Sequence, residues 1–80
     1  MFYVYILQSI NYPDKTYIGY TNNLSRRITE HNSGICTYTT RFLPWKIICY
    51  TAFEDQEKAI NFEKYLKSSS GKTFLNQRFL

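Results

Sequence analysis

The chain holds one histidine, two cysteines and no apolar run approaching the roughly 18 residues of a membrane helix. Each scarcity excludes something. A structural zinc site needs four ligands, and His31, Cys36 and Cys49 lack the paired spacing that would supply them. Two cysteines in apolar or β-like surroundings do not make a disulfide framework, so free thiols in a reducing compartment are expected. With no convincing serine elbow beside the lone histidine, a serine triad is excluded. "SSSGKT" at 68–73 suggests a phosphate loop, but the earlier glycine of that pattern would fall at Leu66, and no strand leads into it. The opening "MFYVYILQS" lacks a basic lead and a small-residue cleavage site, so no signal peptide is expected. Internal repeats, linkers and low-complexity tracts are also missing. A soluble, cytoplasmic protein with residues 1–80 forming one domain is expected.

What is present is apolar and aromatic. A hydrophobic fraction of 44% and an aromatic fraction of 19% call for a packed globule and exclude disorder. Tyrosine and phenylalanine carry most of that aromatic content, and tyrosine keeps a polar tip when buried. So small a domain is expected to be stable by about 5–10 kcal/mol at most. The net charge of +4 is unevenly placed. Acids and bases balance up to Glu63, whereas Lys64, Lys67, Lys72 and Arg78 follow with no acid among them. Such a one-sided basic end suits a polyanion such as nucleic acid, or else is a solvated, solubilising face.

Along the chain, "FYVYILQS" alternates as a strand, with Phe2, Val4 and Ile6 on one face and Tyr3, Tyr5 and Leu7 on the other. Pro13-Asp14 supplies turn chemistry, and "TYIGY" completes an antiparallel hairpin. Whether Tyr5 and Tyr17 meet depends on a register that alternation alone does not give. Asn22 or Asn23 can cap the following helix, whose apolar edge is Leu24 and Ile28. Arg27 and His31 lie one turn apart beside that edge, and Arg26 with Glu30 reads as a solvated pair. Gly34 fits the helix stop. "ICTYTTRFLP" reads as irregular, "WKIICYTAF" as a third strand, and "EDQEKAINFEKYLK" as a helix with its acids in the first turn. "SSSG" reads as a break before a short closing helix over "KTFLNQRFL".

Within that second long helix, Ala59, Phe62 and Leu66 mark a buried stripe, and Glu63 falls inside its arc. A carboxylate there sits at the core rim or has a cation waiting. The cation is either Arg27 or a metal ion that takes hard oxygen ligands.

The ordered set Tyr5, Tyr17, Gly19, Arg27, His31 and Glu63 resembles the GIY-YIG nuclease superfamily. The first signature stands as "YVY" at 3–5 and the second as "YIG" at 17–19. "NLSRRITEHNSG" is similar to the family's first helix, and "AINFEKYLKSSSGKTF" to its glutamate helix. Tyr3 replaces the first glycine of the first signature. The resemblance covers essentially the whole chain. It implies an α+β fold, a three-stranded antiparallel sheet flanked by helices in the order β-β-α-β-α-α. It implies divalent-metal-dependent cleavage of phosphodiester bonds with one Mg2+ or Mn2+ ion. Tyr5 is then the signature tyrosine and Tyr17 its partner. Arg27 binds phosphate, His31 occupies the position used for proton transfer, Glu63 is the single metal ligand and Asn76 is the nearest match to a family asparagine. Lys64, Lys67, Lys72 and Arg78 become nucleic-acid contacts.

On this reading the chain is an endonuclease acting on DNA, branched or damaged forms included. Small nucleases of this kind rely on a partner or a dimer for aim, and the sequence shows neither. The alternatives are a non-catalytic nucleic-acid-binding module of the same fold and a protein-interaction adaptor using its aromatic surface.

Overall fold

A computed structural model describes residues 1–35 and 37–80. Cys36, expected to be a free thiol, lies outside the described residues. Strands β1 (Phe2–Ser9), β2 (Thr16–Thr21) and β3 (Trp45–Phe53) form an antiparallel sheet ordered β2-β1-β3. Helices α1 (Leu24–Asn32) and α2 (Thr37–Thr40) join β2 to β3, and α3 (Gln56–Lys67) and α4 (Ser69–Arg78) follow. This is the expected α+β arrangement with one element added, α2. Among the described residues no helix is long and apolar enough to cross a membrane.

Strand β1 is central, and Val4, Tyr5, Ile6 and Leu7 are all buried because both faces are covered. Alternation divides them. Val4 and Ile6 pack with Ala59, Leu66 and Leu75 from α3 and α4. Tyr5 and Leu7 pack with Trp45 and, more peripherally, with Leu24 and Ile28 of α1. A turn at Tyr12–Lys15, closed by Lys15 N–H donating to the Tyr12 carbonyl at 2.8 Å, sets the hairpin register. That register places Tyr5 opposite Gly19 and Leu7 opposite Tyr17, so both tyrosines face α1.

Local signals set the helix ends. The Asn23 side chain accepts from Arg26 N–H at 3.0 Å and starts α1; Gly34, at φ +85°, follows its end. Asp55 caps α3 by accepting from Glu57 N–H at 2.9 Å. The Asn32 amide bonds both backbone groups of Trp45, at 2.7 and 3.1 Å, and ties the end of α1 to the start of β3.

Two expectations need correction. The threonine-rich segment is not wholly irregular, since Thr37–Thr40 make one helical turn. Threonine is a weak helix former, and tertiary contacts override it. Trp45 Nε1–H donates to the Thr39 carbonyl at 2.7 Å, and Thr40 Oγ donates to the Gly34 carbonyl at 2.9 Å. The break at "SSSG" does separate the last helices, but it is shorter than expected. The break is confined to Ser68, whose hydroxyl accepts from Gly71 N–H, and α4 already runs through Gly71. Gly71 is buried against the Tyr65 carbonyl and Leu66 Cα, where any Cβ would collide. This glycine permits close crossing of α3 and α4 instead of stopping a helix.

Candidate active site

The α1-facing side of the sheet assembles a compact polar cluster inside an aromatic shell. Tyr5 is only 1% exposed, and its phenol lies over Gly19. A Cβ at residue 19 would strike the Tyr5 hydroxyl and ring, so glycine is required for the tyrosine to lie there. His31, fully buried, places Nε2 at 2.8 Å from Tyr5 Oη and Nδ1 at 3.1 Å from Thr39 Oγ1. Tyr17 closes the cluster, its ring 4.8 Å from that of His31 and 6.4 Å from that of Tyr5.

Burial pushes the His31 pKa down from its ordinary value of 6.5, and the nearby Arg27 charge adds to this. The Glu30 carboxylate opposes both in part. The result is a neutral imidazole at pH 7, with one nitrogen able to accept a proton and the other donating. Arg27 is half-buried and pairs with Glu30 at 3.0 Å. Arg26, expected to be the partner of Glu30, stands 4.0 Å from it and is the looser contact.

Glu63 occupies the helix on the opposite face of the sheet. Its side chain is 21% exposed, consistent with a place at the rim of the buried stripe. The cation beside it is Lys67, at 3.2 Å, and not Arg27. An Arg27–Glu63 core pair is thereby ruled out. Lys67 reaches a cleft of about 540 Å³ along the free edge of β2. That cleft gathers Tyr17 from the sheet, Tyr38 from α2, and Lys67, Lys72 and Asn76 from the last two helices. Tyr17 thus contacts His31 with its ring and also lines the cleft beside the Glu63–Lys67 pair. Lys64 and Arg78 are exposed and do not line it.

Among the described residues no group of three or more histidine, cysteine, aspartate or glutamate side chains could hold a metal. Glu63 offers one carboxylate. That donor set fits only a hard divalent ion that keeps several waters and takes its other oxygens from a phosphate. Cys49 is a free, half-buried thiol on β3, with its pKa raised by burial; it packs against the Val4 and Ile6 core on the other face of the sheet.

The sequence reading missed Thr39 and Tyr38. A buried imidazole must satisfy both nitrogens, and Tyr5 serves only one, so a second polar partner was required. Which threonine of the 37–40 run supplies it depends on the fold of α2.

The fold thus brings two tyrosines and a histidine together on two strands and a helix, with a glutamate on a later helix. The model of the GIY-YIG catalytic domain matches residues 1–77, and the chain belongs to that family. A UPF0213 protein of Clostridium perfringens is 40% identical over 68 residues, spanning 84% of this chain and 71% of that protein. The structure-specific endonuclease subunit SLX1 homolog of Giardia intestinalis is 35% identical over 65 residues, which is 76% of this chain but 18% of the much longer relative. Among solved structures, the solution NMR structure of a UPF0213 protein from Bacillus halodurans superposes with a TM-score of 0.56 at 34% identity. It covers 96% of this chain and 84% of that one.

Proposed function

We propose that this chain is a divalent-metal-dependent endonuclease that hydrolyses phosphodiester bonds in DNA, with branched or junction-containing DNA as the favoured substrate. The observation that carries the reading is the 2.8 Å hydrogen bond between Tyr5 and a buried His31 held neutral at pH 7. A tyrosine is a poor base at its ordinary pKa of about 10. Beside a neutral imidazole it can act as a relay, taking a proton from the attacking water as its own passes to Nε2. The Thr39 hydroxyl can accept from Nδ1–H, the tautomer that leaves Nε2 open to the phenol. Arg27 offers a planar, permanently charged fork for the nonbridging phosphate oxygens, and Glu30 holds it until phosphate arrives. Glu63 would hold the ion, after exchanging Lys67 for it. A bound divalent ion supplies charge neutralisation at the phosphate and the leaving oxygen. The name of the Giardia relative supports the preference for structured DNA.

A second reading has its own support. Tyr5 and His31 are almost wholly buried and Glu63 is already ion-paired, as in a nucleic-acid-binding module without catalysis. One experiment separates the two. The chain and Glu63→Gln are incubated with flap, junction, nicked and linear DNA and with RNA, with and without Mg2+ or Mn2+. Gel shifts and melting curves accompany the assay. The expected result is metal-dependent cleavage that disappears in Glu63→Gln while binding and melting persist. Salt-sensitive binding without cleavage establishes the module. Loss of cleavage, binding and melting together gives Glu63 a core role.

A further inference from the structure

We propose that the cleft along β2 is a seat for one unpaired nucleotide, with Tyr38 as its stacking platform and Lys72 as its phosphate contact. The proposal deepens the nuclease reading, on which it rests for the ligand being a nucleic acid. It narrows the substrate to strands with an accessible, unstacked base.

Four observations converge. Tyr38 is 44% exposed, yet its ring is held from three sides. Tyr17 stacks against it at 5.9 Å and 30°, and Phe42 and Trp45 lie 5.7 and 6.1 Å away. Ordering such a ring costs little further entropy when a base stacks on it. The cleft volume of about 540 Å³ falls in the range of small-ligand pockets, roughly 300–1,000 Å³. Lysines from two helices line it, and no described acid does. Lys67 pairs with Glu63, whereas Lys72 has no ionic partner among the described residues. Asn76 lines the same cleft, and an asparagine amide can read a base edge.

Aromatic faces beside cations recognise single strands, because every unstacked base offers a π-face and a duplex hides it. A duplex groove would instead call for an array of cations with no platform.

The test reads binding in EDTA, so that cleavage plays no part. Fluorescent oligo-dT, oligo-U, an abasic strand of equal length and a duplex are titrated into the chain and into Tyr38→Leu, Tyr38→Phe and Lys72→Gln. Melting curves confirm that each variant folds. Single strands are expected to bind at least about tenfold tighter than the abasic strand or the duplex. Tyr38→Leu is expected to weaken oligo-dT binding about tenfold (~1.4 kcal/mol) and to leave abasic-strand binding unchanged. Tyr38→Phe, which keeps the ring, is expected to stay within about twofold. Lys72→Gln is expected to lower the salt slope by about 0.7. The oligo-U arm tells ribose from deoxyribose, and preference for either strand over its duplex supports the seat. Equal binding of abasic strand and oligo-dT, or an unchanged Tyr38→Leu, overturns it. Metal-dependent cleavage with strand-indifferent binding refutes the seat alone. Absence of cleavage with every metal and substrate refutes the nuclease reading alone.

Discussion

The two faces of the sheet differ in how their polar groups are held. On the α1 face, Tyr5, His31 and Thr39 are buried, and His31 hydrogen-bonds both of the others. On the α3–α4 side, Glu63, Lys67 and Lys72 reach solvent, and the Glu63–Lys67 contact spans one turn of one helix. A buried network is costly to leave half-satisfied, so it fixes geometry. An exposed i,i+4 pair is worth a few tenths of a kcal/mol and is easily exchanged for an ion or a phosphate. On the nuclease reading, proton transfer and phosphate binding fall to the α1 face and the ion to the other, and Tyr17 at the free edge of β2 touches both sides.

The sharpest way to break this division is at Glu63. Glu63→Gln is expected to lower cleavage at least about a thousandfold (~4 kcal/mol) with an unchanged melting temperature. A parallel fall in melting temperature would place Glu63 with the structural face instead. Gly71→Ala comes next. Its Cβ meets backbone that cannot rotate aside, and about 3 kcal/mol or more of stability is expected to be lost in urea unfolding. Gly19→Ala meets a side chain instead, so a smaller loss of about 1–3 kcal/mol is expected, together with lost activity as Tyr5 is displaced.

A gentler probe is pH. The folded pKa of His31 lies below its unfolded value, so the unfolded chain binds the proton more readily. This contribution to stability is complete above about pH 6.5 and is lost as pH falls through that value toward the folded pKa. Melting temperature should therefore drop between pH 7.5 and 5, and a flat profile would argue against a neutral His31. The smallest effect is expected at Lys67→Met, which frees Glu63. Stability should move by less than about 0.5 kcal/mol, while the metal concentration needed for half-maximal cleavage falls.

Much of the α1 face was legible in the sequence. Alternation in β1 separated Tyr5 from Val4 and Ile6, and the 3.6-residue period put Arg27 and His31 together. That Tyr5 meets His31 could not be read, because it depends on the hairpin register and on how α1 crosses the sheet. Thr39 was hidden by its own propensity, since tertiary contacts, among them the Trp45 and Gly34 hydrogen bonds, hold α2 in helical form. Ser69 to Gly71 read as part of the stop at Ser68 because local signals are blind to helix crossing, which is what Gly71 serves. The Glu63 rim position was visible by spacing. Its partner was one turn away on the same helix, a simpler answer than the distant Arg27.

The most direct measurement is the single-turnover cleavage rate of Tyr5→Phe against the unaltered chain, on one junction substrate with saturating Mn2+. Phenylalanine keeps the buried ring and removes only the hydroxyl that bonds His31. A fall of at least about a hundredfold in a variant that still melts cooperatively is the expected result for a tyrosine that moves the proton. A rate within about tenfold of the unaltered chain would contradict that role.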